Sequence, residues 1–312
     1  MPRYALRVQY IGKNYAGSQL QLEDGKPIEG LPTIQGELEK ALSTLIKNSA
    51  SRCESGVDSR ERNEQGRALR NRRCERNNSE VNVAIYDCTG GETGASRCES
   101  GSAYKYNRPI KTIFSGRTDR GVNAKGQVVH FDTEKPIVAS KFLYQLNEIL
   151  PDDISVDELR EVDEDFHAQK SATSRHYRFE FINRRCKNAF DGDLMRVKFP
   201  IDLERMQKSL NYLLGEHDFS SFKSSGTLNP SKVCTLTEAE CHKAEGDRVV
   251  IDIEGNRFLY NMVRTIVGTL LFIEGHNLPP EHMKDVLDAR DRTKAGQTVS
   301  PYGLTLFEVK YN

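Results

Sequence analysis

Residues 110–132 read IKTIFSGRTDRGVNAKGQVVHFD. Apolar runs at Ile110–Ser115 and Gln127–Asp132 flank a link, Gly116–Gly126, with glycines at 116, 121 and 126. So short a glycine-bearing link leaves no room for a crossover helix, so it predicts two neighbouring strands turned back on each other. Outward from there, Met1–Tyr10 alternates, with Tyr4, Leu6, Val8 and Tyr10 on one face of a strand. Thr33 is placed to cap a helix, IQGELEKALSTLIK, that sets Leu38, Leu42 and Ile46 on one side. Helices are expected near Ser140–Ile149, Leu203–Leu214 and Phe258–Gly275, and strands at Ser174–Asn183, Val249–Ile253 and Gly303–Tyr311. Strands and helices mix in both halves of the chain, and neighbouring strands share short turns. The prediction is an α+β fold with a largely antiparallel sheet, not a doubly wound parallel one.

The chain has 312 residues, enough for one large domain or two ordinary ones. Its 45 basic residues balance 45 acidic ones, which excludes a polycation and confines any nucleic-acid contact to a local patch. The 7 cysteines form no CxxC pair and the 7 histidines no HExxH, so neither a disulfide framework nor a common zinc site is expected. No stretch resembles a signal-peptide apolar core or a membrane span, and the expected setting is the cytoplasm.

From about Ala50 to Lys105 the composition turns polar, and ASRCESG occurs twice, at Ala50–Gly56 and Ala95–Gly101. With little to bury, this segment reads as an insertion, mostly disordered, with a possible strand at Val81–Cys88. It holds Cys53, Cys74, Cys88 and Cys98, read as passive thiols, and 7 arginines between Arg60 and Arg76. Those arginines suit an accessory RNA-binding arm or a solvated loop without a task.

Three segments could carry chemistry. In Ser115–Gly126, Arg117 and Asp119 are two apart and share a side of an extended chain. A neighbouring guanidinium keeps a carboxylate ionised, as a nucleophile requires; an Asp in a glycine-rich turn can equally serve to bond backbone N–H groups. The pattern GxxxxGK[ST] of a phosphate loop is missing, which leaves a phosphate-binding metabolic enzyme little support. Gln169–Lys187 sets Lys170, Arg175, Arg178, Arg184, Arg185 and Lys187 against one acid, Glu180, with His176, Tyr177, Phe179 and Phe181 between them. Basic residues interleaved with aromatics suit RNA phosphates and unstacked bases, or else a strand with a core face and a solvated face. In Gly255–Gly268, Arg264 lies at the edge of an apolar helical stripe, where it either snorkels to solvent or faces a cleft.

In this order and spacing the segments resemble the TruA family of tRNA pseudouridine synthases. The hallmark GRTDxGVHAxGQVxxF reads GRTDRGVNAKGQVVHF at Gly116–Phe131, and YIGKNYAGSQLQ, PTIQGELEKAL, FHAQKSATSRHYRFEF, HDFSSFK, GNRFLYNMVRTIVGTLL and PYGLTLFEVKY agree as well. The resemblance implies two ferredoxin-like halves, 1–136 and 137–312, flanking a central cleft, the first interrupted by the insertion. It implies isomerisation of uridine to pseudouridine in the anticodon stem-loop of tRNA (positions 38–40), without cofactor or metal, by a homodimer. Asp119 matches the nucleophile, Arg117 its ion-pair partner, Tyr177 the residue that stacks on the base and takes its proton, and Arg264 a second ion-pair partner in the cleft. Arg120, Lys170, Arg175, Arg178 and Lys223 are the expected RNA contacts. Uridine in a structured RNA must be flipped out before it reacts, and attack at ribose C1′ or at ring C6 both stay open. The chain departs from the family pattern at Arg120, Asn123, Gln169, Lys170 and Ser18. An RNA-binding protein without catalysis is the competing reading.

Overall fold

The alternating N-terminus becomes strand β1, Arg3–Tyr10. The sequence 110–132 folds back on itself as β2, Thr112–Phe114, and β3, Asn123–Asp132, paired antiparallel. Six further strands follow before the last: β4 (Ile154–Val162), β5 (Ala172–Asn183), β6 (Arg196–Val197), β7 (Gly215–Asp218), β8 (Val233–Lys243) and β9 (Arg248–Gly255). The last is β10 (Leu304–Tyr311). The helices are α1 (Ile34–Glu54), α2 (Ala139–Ile149), α3 (Leu203–Asn211), α4 (Met262–Gly275) and α5 (His282–Ala289). This computed structural model describes residues 1–23, 26–28, 30–54, 110–224 and 231–312. The chain divides into two units, Met1–Asn48 with Arg108–Asn312, and Ser49–Asn107; the first holds the sheet.

The mixed α/β prediction agrees with the observed architecture. One continuous sheet runs β4-β1-β3-β10-β5-β9-β8-β7, with β2 on β3 and β6 on β5. Its pairings are antiparallel except β10 with β3 and β6 with β5. The alternation of Tyr4, Leu6, Val8 and Tyr10 buries that face against Leu38 and Leu42 of α1 and Leu146 of α2 in one core. A second core joins Phe179 and Phe181 of β5 to Ile251 and Ile253 of β9 and to α3, α4 and α5. The first core takes in α2, β4 and Ala168, residues beyond position 136. β10 lies between β3 and β5, giving Leu304 to the second core and Leu306 to the first.

Some boundaries differ from the sequence reading. α1 continues to Glu54, past the start of the polar stretch. Residues 55–109, with the expected strand, three of the four insertion cysteines and the arginine run, lie outside the described residues. α4 begins at Met262 rather than near Phe258, because Asn261 is left-handed (φ 60°) and the helix can start only after it. The stripe on α4 widens to nearly the whole helix: Thr265, Gly268, Thr269 and Glu274 are buried with the apolar residues. A Cβ on Gly268 would stand 1.7 Å from the Gln297 carbonyl oxygen, so only glycine admits that loop against the helix.

Candidate active site

The link between β2 and β3 is held by buried polar side chains. The Ser115 hydroxyl donates to Gln127 Oε1 (2.6 Å), and Gln127 Nε2 donates to the Gly116 carbonyl (2.9 Å) and to the Tyr10 hydroxyl (3.3 Å). The Tyr10 hydroxyl in turn meets Thr118 Oγ1 at 2.7 Å. On the other side the Thr118 N–H donates to Ser18 Oγ (2.8 Å), and the Ser18 N–H donates to the Thr118 carbonyl (3.1 Å). Tyr10, Ser18, Ser115, Thr118 and Gln127 are all buried. Burial pushes the Tyr10 hydroxyl up to about 12, so it keeps its proton and can donate it. The residue before Asp119 is thereby clamped from two sides. Past it, the Val122 N–H donates to the Asp119 carbonyl (3.1 Å), and Gly121 supplies the positive φ (81°) that closes the turn against Pro301 and Tyr302.

Asp119 is therefore an acid presented by a rigid turn. Among the described residues no backbone N–H donates to its carboxylate, so it is not spent on stabilising its own loop. Its close partner is Arg264, with Nη1 at 3.7 Å from Oδ2. Burial raises the Asp119 pKa above the usual carboxylate value, against the lowering fields of Arg264 and then Arg117. A half-buried carboxylate with few donors is poorly solvated and a stronger base, while the two guanidinium groups favour its charged form.

Arg264 is built into the start of α4. Its Nε donates to the Val299 carbonyl and its Nη1 to Asn261 Oδ1, both at 2.8 Å. The left-handed Asn261 thus ends the preceding loop and steers the guanidinium. Arg264 does not snorkel to solvent: its side chain is only 16% exposed. Arg117 is exposed and acts on Asp119 through its field, while the 3.7 Å contact belongs to Arg264.

Tyr177 stands on β5 where both cores meet, half-buried, its ring edge-on to Phe258 (5.0 Å, 77°). Burial, Tyr10 and Asp119 push its hydroxyl well above the usual phenol range, so the phenol is protonated near neutral pH.

The expected RNA contacts separate into two kinds. Arg120 and Lys170 are exposed. Lys223 is half-buried, one residue before Ser224, whose N–H donates to the Tyr260 carbonyl (3.1 Å). Arg178 points to the strand face opposite Tyr177 and Phe179, where it forks onto Asp252 (2.9 and 3.2 Å) and covers the Phe307 ring at 4.4 Å. Arg175 donates to four backbone carbonyls: Ala172, Gln169, Ser115 and Asn256. Asn123, where the family pattern has histidine, accepts the Gly12 N–H at 2.9 Å and so braces the far end of the Asp119 loop. Two surface hollows of about 980 and 360 Å³ run along β4, β1 and β10, and neither is lined by the Asp119 loop.

Sequence reasoning did not single out Tyr10, Thr118, Gln127 or Asn261. The available signals were a glutamine opening the apolar run QVVHF and an asparagine just ahead of a helix. No group of three or more His, Cys, Asp or Glu able to hold a metal ion occurs among the described residues.

Comparison with known proteins decides the family. A family model described as tRNA pseudouridine synthase matches residues 210–312. A tRNA pseudouridine synthase A of Thermoanaerobacter sp. (strain X514) is 41% identical over 207 residues, 65% of this chain and 83% of that protein. One from Buchnera aphidicola subsp. Schizaphis graminum is 35% identical over 310 residues, covering 99% and 92%. One from Colwellia psychrerythraea is 33% identical over 310 residues, covering 99% of this chain and 93% of its own. The chain belongs to the tRNA pseudouridine synthase family. As a tRNA pseudouridine synthase it is an isomerase that converts uridine to pseudouridine in tRNA. Among the described residues of this synthase no helix is long and apolar enough to cross a membrane.

Proposed function

We propose that Asp119 is the nucleophile of this isomerisation, acting on a flipped-out uridine in the anticodon stem-loop, at tRNA positions 38–40. The observation that carries this reading is the carboxylate on its clamped turn, poorly solvated and 3.7 Å from the Arg264 guanidinium. Formation of pseudouridine breaks the N1–C1′ glycosidic bond, turns the detached uracil, joins C5 to C1′ and releases the C5 proton while N1 takes one up, with no net gain or loss of atoms. The Asp119 carboxylate adds to C1′ or to C6 and leaves again when the new bond forms. Arg264, with Arg117 in support, disfavours protonation of that carboxylate before it attacks and stabilises its charge as it leaves again. Tyr177 offers its ring to the base. Its hydroxyl would have to be deprotonated before it could take the C5 proton, and its raised pKa opposes that.

On this reading Arg120, Lys170 and Lys223 meet RNA phosphates, and the protein works as a cytoplasmic homodimer. The dimer is inferred from the family resemblance. The two hydrophobic cores support a division into two α/β halves about a cleft, with Tyr10, which bonds the Asp119 turn at Thr118, in one core and the apolar residues of α4, which carries Arg264, in the other. The enzyme assignment leaves the binding-only alternative without an observation in its favour. The test is pseudouridine mapping on unmodified tRNA. Product is expected in the anticodon arm with wild type and none with Asp119→Asn; equal product from the variant refutes the nucleophile. Sedimentation at one protomer's mass at working concentration refutes the dimer.

A further inference from the structure

Arg175 carries a charge that no acid among the described residues pairs within 4.0 Å, yet it is half-buried. Its Nη1 donates to the carbonyls of Asn256 (2.7 Å) and Ala172 (3.2 Å), and its Nη2 to those of Gln169 (2.7 Å) and Ser115 (3.2 Å). Both terminal nitrogens thus have both hydrogens engaged, so little donor capacity is left for a phosphate. The four acceptors come from three pieces of chain, Gln169 and Ala172 sharing one. Ser115 opens the turn that carries Asp119. Gln169 belongs to the turn before β5. Asn256 opens the loop that leads into α4 and Arg264, and is fixed to β8 by its own bonds with Thr235 (3.0 Å each way). Only a planar fork of this size can hold carbonyls on so many sides at once; a lysine ammonium is a point donor with three hydrogens.

The structure assigns Arg175 as a positioning residue: its guanidinium ties the Asp119 turn to the loop ahead of Arg264 and so sets the separation of the two charged groups. This departs from the RNA contact that its basic neighbourhood suggested, and it rests on the proposed role of Asp119. Arg175 touches neither charged group. It acts through backbone, and its effect belongs to the reacting geometry rather than to tRNA affinity.

Single-turnover kinetics on unmodified tRNA with Arg175→Lys and Arg175→Met test this, alongside thermal melts and tRNA binding across a salt series. A misplacement of about 1 Å in a reacting group costs on the order of 100-fold in rate, so the expected loss is about 10- to 100-fold in the single-turnover rate at saturating tRNA. KM is expected to stay within about 2-fold, and the dependence of log Kd on log salt unchanged. A phosphate contact would do the reverse, lowering that slope by about one and weakening binding while the rate at saturation holds; that result overturns the proposal. So does a wild-type rate in Arg175→Lys. Should Arg175→Met not fold, Arg175→Lys decides alone. Failure of both to fold also counts against the proposal, because it leaves the arginine no role separable from stability. Wild-type protein that forms no pseudouridine defeats the proposed function; active wild type with unaffected variants defeats this inference only.

Discussion

Removing one oxygen atom, in Tyr10→Phe, tests whether the clamp on Thr118 positions Asp119. The Tyr10 hydroxyl accepts from Gln127 Nε2 at 3.3 Å and shares a hydrogen bond with the Thr118 hydroxyl at 2.7 Å, in a site where the tyrosine is 4% exposed. Phenylalanine fills the same ring space but leaves the Thr118 hydroxyl without that partner and one Gln127 hydrogen without its acceptor. Gln127 keeps its 2.9 Å bond to Gly116, and Thr118 keeps its backbone bonds to Ser18. The loop therefore stays in place while its side-chain anchor is lost. Two buried polar atoms losing partners costs about 1–3 kcal/mol, which in a chain of this size lowers Tm by roughly 2–10 °C. Loosening next to Asp119 is expected to cut turnover about 10-fold. Denaturant unfolding supplies the first number through a shift of the midpoint at constant slope, and single-turnover pseudouridine formation supplies the second. Stability lost with turnover unchanged would refute the positioning argument; both unchanged would refute the network itself.

Arg264→Met removes the cation nearest Asp119 and leaves its burial, so the carboxylate pKa should rise further and the acid limb of the rate profile move to higher pH with a lower plateau; an unmoved limb contradicts the pairing. His130 is buried, accepts the Ala168 N–H on Nδ1 at 3.1 Å, and is lowered to about 4, first by burial and then by Arg3 and His167. The unfolded chain binds its proton near 6.5 and the folded one only near 4. Stability is therefore full above about pH 6.5 and declines by up to about 3 kcal/mol as pH falls to about 4. Unfolding midpoints measured across that range should fall, and less steeply in His130→Gln; parallel slopes would exclude His130 as the source. Gly268→Ala drives a Cβ into the Gln297 carbonyl, and about 1–3 kcal/mol of destabilisation is expected in urea, where a wild-type midpoint would deny the close approach.

What the sequence disclosed followed from period and spacing. Alternation at Tyr4–Tyr10 disclosed one strand, and the fold-back at 110–132 two more with their antiparallel sense, because side-chain period and link length are local quantities. Strand β8 and helix α5 escaped notice for equally local reasons. VCTLTEAECHK loses its alternation at a register shift between Leu236 and Glu238, and α5 is only eight residues long. At the site, the segments bearing Asp119, Tyr177 and Arg264 stood out from their residues, while the pairing of Arg264 with Asp119 was expected from the family resemblance alone. Arg117 is nearer to Asp119 in sequence, yet Arg264 is its contact at 3.7 Å, a tertiary approach that local spacing does not encode. The arginines of β5 showed the limit most plainly. Composition makes Arg175 and Arg178 equivalent basic residues, whereas one grips backbone and the other an aspartate on the opposite face.

The place of β10 has a bearing on how the enzyme comes into being on the ribosome. All the other sheet strands precede β10 in the chain, so while it is still inside the exit tunnel β3 and β5 each present an edge covered only in part, by β2 and β6, and the sheet is in two pieces. Asp119 leads into one of those edges, and Tyr177 lies on the other. On the roles proposed for Asp119 and Tyr177, catalytic competence waits for the single ribbon that zips the two pieces together, and a chain without it leaves strand edges open to pairing with other chains.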